Sequence, residues 1–112
     1  MIPDDIMKGM AAKQRLLTDK NDNEYPELME KRSVSERDYT QEFSKEILKQ
    51  RADGIPITVI KEIVKGLPHV AKLKFEWDVA AGVEKACLNS MKILIAQIDS
   101  YRSLLSWEKQ DV

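Results

Sequence analysis

From Val70 onward the chain keeps one spacing without a slip. Val70, Leu73, Trp77, Ala80, Glu84, Cys87, Met91, Leu94, Ile98, Tyr101 and Leu105 follow each other at alternating steps of three and four residues. All but Glu84 are apolar or aromatic. A 3,4 repeat over about five heptads belongs to an α-helix that buries one seam, as in a coiled coil. Pro68 precedes the run and suits a first helical turn, where its missing N–H leaves no bond unmade. From there to Trp107 there is no proline and only Gly82. The spacing predicts one helix over about 68–107, ~60 Å long at 1.5 Å per residue. A second stripe (Val79, Val83, Leu88, Ile95, Leu104) flanks the seam, which is wider than a two-stranded coil needs and suits a helix covered on two sides.

The rest of the chain reads as shorter helices. Ile6, Met7, Met10, Ala11 and Leu17 mark an amphipathic helix over 4–18, weakened by Gly9. Residues 19–26 (DKNDNEYP) collect turn formers and charge and read as a loop, and 27–32 as a helical turn or linker. Ser33 with Glu36 fits a capping box, opening a helix through Tyr39, Phe43 and Ile47 that ends at Asp53-Gly54. Thr58 is the candidate N-cap of a short helix closing at Gly66. The only β-like run, Ile55–Ile60, contains Pro56. The fold class expected is all-α: a helical hairpin or small bundle built on the 68–107 helix. It forms a single domain over 1–112, with 1–32 a loosely packed N-terminal helix and linker. The helix at 36–51 should pack on the long one through Tyr39, Phe43 and Ile47.

Composition excludes several functions. The 112 residues carry 18 bases against 19 acids, so no global polycation offers itself to nucleic acid. No run of ~18 apolar residues exists to span a bilayer. The opening MIPDDIMKGM has acids where a signal peptide needs bases. One cysteine makes no internal disulfide, and one histidine with one cysteine make no standard zinc site. Cys87 lies on the seam, where a small buried hydrophobe is expected. Asp19, Asn21, Asn23 and Glu30 fall at calcium-loop spacing, but Glu24 takes the place of the required glycine and Pro26 follows it. No phosphate loop, nucleophile elbow or HExxH is present. No catalytic residue, cofactor or metal ligand is therefore expected, and no enzyme.

Two surfaces remain. Three short helices cannot cover ~60 Å of seam, so a homo-oligomer (dimer or higher) or an unidentified partner protein is expected along Trp77, Met91, Leu94, Ile98, Tyr101 and Leu105. On this reading Leu94→Asp separates the copies and leaves helix partly formed. Glu84, in the middle of the seam, is either paired and register-fixing or turned outward where a partner diverges. The alternative is nucleic acid. Residues 47–74 can form a helix-turn-helix-like segment, and Lys61, Lys65, Lys72 and Lys74 are its candidate phosphate contacts. Lys72 and Lys74 flank Leu73 rather than share a face, so the four specify no flat binding surface.

Three segments, ERDYTQEFSKEIL (36–48), GIPITVIKEIVKG (54–66) and the long helix from VAKLKFEWD (70–78) to YRSLLSWEK (101–109), resemble small helical early-region proteins of temperate phages and prophages of Gram-positive bacteria. The resemblance implies the cytoplasm of a bacterial host and an accessory role. It carries over no catalytic residue. The function expected is a non-enzymatic interaction protein that docks by helix-to-helix contact with a host or phage partner. A DNA- or RNA-binding module is the alternative.

Overall fold

The computed structural model describes residues 2–110, and side chains as far as Lys109. It is all-α, of the hairpin or small-bundle kind: α1 (Pro3–Asp19), a π turn (Lys20–Glu24), α2 (Tyr25–Ala52), α3 (Ile57–Gly66) and α4 (Pro68–Gln110). The long C-terminal helix stands as the heptad run requires. Packing divides the chain into two compact units. One combines the chain up to Glu27 with the part from Lys85 onward, and the other is Leu28–Glu84.

The expected loop at 19–26 is helix instead, and of the two readings of 27–32, helical turn or linker, the helical one stands. Pro26 explains the π turn. A proline inside an α-helix removes one N–H and crowds the carbonyl four residues back. Widening the turn just before it relieves the crowding: the Tyr25 N–H donates to the Lys20 carbonyl, five residues back. Side chains then support the turn. Lys20 Nζ pairs with Glu24 at 3.0 Å, which raises the lysine pKa above its ordinary value, and Asn23 Nδ2 donates to Asp19 Oδ1 at 2.9 Å. Asp19, Asn21 and Asn23 thus sit on a helix and do not form a calcium loop. Ser33 lies inside α2 and caps nothing.

The later punctuation is as the sequence reading has it, but for one position. Gly54 ends the second helix in the left-handed region (φ 78°), which a side chain would strain. Pro68 opens α4. The N-cap of α3 is Pro56 rather than Thr58.

In the Leu28–Glu84 unit the core is Ile60, Val64 and Val70, each with no exposed surface. Tyr39, Phe43, Ile47, Ile55 and Leu67 pack around them. The 36–51 segment is therefore the inner partner of α3 and α4, through the three residues expected. In the other unit α1 lies on the C-terminal part of α4. Ile6 is fully buried there, and Cys87, Leu94 and Ile98 nearly so. Gly9 is the close approach: a methyl group on it would come within 2.8 Å of the Tyr101 ring. The absent side chain, which costs helix propensity, makes room for that ring.

Candidate functional site

In the Leu28–Glu84 unit polar chemistry gathers between α2 and α4 at two places. The first answers the question of Glu84. Its carboxylate accepts from Arg32 Nε at 2.7 Å, and Arg32 Nη1 donates to Glu36 at 2.9 Å. The Glu84 side chain is only 13% exposed, so the acid in the seam is paired and turned inward. Its hydrogen bond holds the Arg32 guanidinium above its ordinary pKa, against the opposing effect of burial. The folded value is raised, so the stability that comes from arginine's own titration is fully present below its ordinary pKa and is lost only as the pH rises above it. No deprotonation of Arg32 disturbs the pair near neutrality. Removing one partner of such a pair costs most where the remaining charge is less exposed to water. Arg32→Ala should therefore lower the melting temperature more than Glu84→Gln, and the double variant should recover part of the loss. Thermal melts of the three proteins check the order.

The second place is the cluster of Glu42, Glu46 and His69. Glu42 and Glu46 are one helical turn apart on α2, flanking Phe43 and Ile47, which hold that face against the core. His69 is the second residue of α4. Its Nε2 lies 3.3 Å from Glu42 Oε1 and 3.3 Å from Glu46 Oε1. Glu46 is 7% exposed, the sole buried polar residue among the described residues, and Lys49 Nζ reaches it at 3.6 Å. In sequence this histidine stands alone, its acids lying 23 and 27 residues upstream. The legible signal was the four-residue spacing of two glutamates around Phe43, on the helix already expected to face α4.

The oligomer seam expected from the sequence is used inside the chain. Trp77 stacks on Tyr39 with ring centroids 5.5 Å apart, and Tyr39 on Phe43 at 5.6 Å. Leu94 (6% exposed) and Ile98 are buried, and Met91, Tyr101 and Leu105 are partly so. What lies open is the flanking stripe: Val79, Val83, Leu88, Ile95 and Leu104 are all exposed. The physical reason is coverage. The continuous helical run before Ala52 supplies more packing length than the short helices expected, so the a/d row is satisfied within the chain.

In the unit holding the end of α4, one side of the helix is uncharged. Lys85, Lys92, Asp99 and Arg102, the only charges between Lys85 and Trp107, fall within one sector of about 100° around the helix, with Lys85 at the edge nearest Trp107. The uncharged side carries Ile93 (58% exposed), Leu104 and Trp107 (61%), with Ala86, Ala96 and Ser100 between them, all open to solvent. α4 forms grooves with α1 on both flanks: Lys13 borders the uncharged side beside Gln97, Ser100 and Leu104, and Gln14 and Leu17 line the other with Ile95, Ile98 and Arg102.

The four lysines are exposed. Lys65 lies 3.6 Å from Glu62, and Lys74 is 3.1 Å from Asp78 with its Nζ 4.1 Å from the Trp77 ring centroid. Lys61 and Lys65 are on α3, Lys72 and Lys74 on α4.

Comparison with family models, with curated proteins and with solved structures gives no match to this chain. Among the described residues, no helix is long and apolar enough to cross a membrane.

Proposed function

We propose that this chain is a non-enzymatic interaction protein of the bacterial cytoplasm that docks through the open side of α4, first against a second copy of itself. The observation that carries this is the exposed, uncharged row of Ile93, Leu104 and Trp107 in a chain that is 33% charged. Large apolar side chains left in water on one helix side mark an interaction surface. The row is also self-complementary when two copies run antiparallel about a point between Ala96 and Gln97. Trp107 then meets the partner's Ala86, Ile93 meets the partner's Ser100, and Lys92 comes near the partner's Asp99. Large residues fall on small ones, and opposite charges meet at the rim.

The resemblance to helical phage early-region proteins supports an accessory role on the same surface, with a host or phage helix in place of the second copy. The alternative, a nucleic-acid-binding module at 47–74, has the exposure of Lys61, Lys65, Lys72 and Lys74 in its favour. The ion pairs of Lys65 and Lys74 weigh against it.

Sedimentation equilibrium at tens of micromolar tests the self-docking. A dimer or higher species is expected, and Ile93→Asp should return it to monomer with helix content unchanged. A monomeric parent protein rejects it. A duplex-DNA titration decides the alternative: four phosphate contacts predict a slope of log affinity against log salt of about −3 to −4, and a slope near zero removes that reading.

A further inference from the structure

We infer that Glu42, Glu46 and His69 form a binding site for a first-row divalent cation, zinc foremost, that pins the first turn of α4 to α2. This stands apart from the docking surface, which uses none of these residues. The geometry favours a cation over a simple hydrogen bond. Two carboxylate oxygens face one ring nitrogen at equal distances of 3.3 Å. That nitrogen carries at most one hydrogen, which cannot serve both oxygens well. Each separation is also longer than the 2.7–2.9 Å typical of a charge-assisted N–H···O bond. A cation held at zinc's usual distances, about 2.0–2.1 Å to imidazole nitrogen and 2.0–2.2 Å to carboxylate oxygen, spaces tetrahedral ligands about 3.3–3.4 Å apart. The two nitrogen–oxygen distances already have that value. All three ligand atoms lie within 4.8 Å of one another.

The donor set narrows the ion. Calcium takes six to eight oxygens and magnesium an octahedral set with several waters, whereas imidazole with carboxylates suits zinc and its neighbours. The two glutamates, four residues apart on one helix, repel each other when both are ionised. Their nearest lysine, Lys49, is exposed, and its Nζ is 3.6 Å from Glu46. A dication bound between the carboxylates removes the repulsion. His69 is half-exposed, which gives the ion a path in and leaves a fourth position for water.

Calorimetric titration of metal-free full-length protein with zinc sulfate tests the site. One zinc per chain is expected, with a higher melting temperature when it is bound. Cobalt in its place should give the strong visible bands of a four-coordinate ion. His69→Ala and Glu46→Gln should each weaken zinc binding by roughly 100-fold or more, since even outer-shell partners of a metal site are worth 10–100-fold. Cys87→Ala should leave it unchanged. His69 is at the surface and Gln is isosteric with Glu, and far-UV circular dichroism confirms that each variant folds. The inference is overturned by an absence of zinc binding, by His69→Ala binding as tightly as the parent, or by a six-coordinate cobalt spectrum.

Discussion

Leu94→Asp should unfold the unit that contains the end of α4, not merely separate two copies. Leu94 is 6% exposed, in a row with Cys87 and Ile98, each 4% exposed. An aspartate there must be buried without a partner or drag the helix into water. Either course costs of the order of 5 kcal/mol, comparable to the whole stability of a small domain. Far-UV circular dichroism should show a large loss of helix, and sedimentation an expanded chain. Ile93, one residue away and 58% exposed, takes the same substitution with its helix intact. A one-residue step around α4 thus divides folding from association. A folded Leu94→Asp protein would contradict this packing.

Ile60→Ala should destabilise the Leu28–Glu84 unit by about 3–4 kcal/mol. Ile60 has no exposed surface and stands with Val64 and Val70 at the centre of the aromatic and aliphatic ring from α2. Truncation removes its transfer free energy and leaves a cavity that three packed helices cannot close. Val59, the preceding residue, is 48% exposed. Val59→Ala should change stability by less than about 0.5 kcal/mol, because only the inward side of α3 is packed. Urea denaturation of the two variants measures both values. Equal effects would mean that α3 is not seated as described.

The heptad run makes α4 legible from sequence because its 3,4 spacing holds across eleven positions, so no single exception hides it. Gly54 and Pro68 were legible because their backbone chemistry is local. The junction at 19–32 was not. Asn, Asp and Pro favour turns when read alone, and the π turn that keeps them helical depends on a bond five residues long that composition does not encode. Which side of α4 faces inward was harder still. The spacing identifies the seam residues but leaves part of their cover to another copy or a partner protein, because in sequence the helical run up to Ala52 reads as short pieces. Glu84's pairing with Arg32 and His69's with Glu42 and Glu46 join residues 23 to 52 positions apart. Only the packing of α2 on α4 brings them together, so no spacing rule could show them.

The buried thiol of Cys87 has a practical consequence. It is the sole cysteine in the chain and is 4% exposed, so an alkylating reagent can reach it only when its surroundings open. The rate at which the native protein takes up such a reagent therefore clocks the opening of that one unit. Trp77, in the Leu28–Glu84 unit, reports on the other by its fluorescence once the exposed Trp107, which shares a unit with Cys87, is replaced by phenylalanine. With that one replacement the chain carries a separate stopwatch for each of its two packed halves.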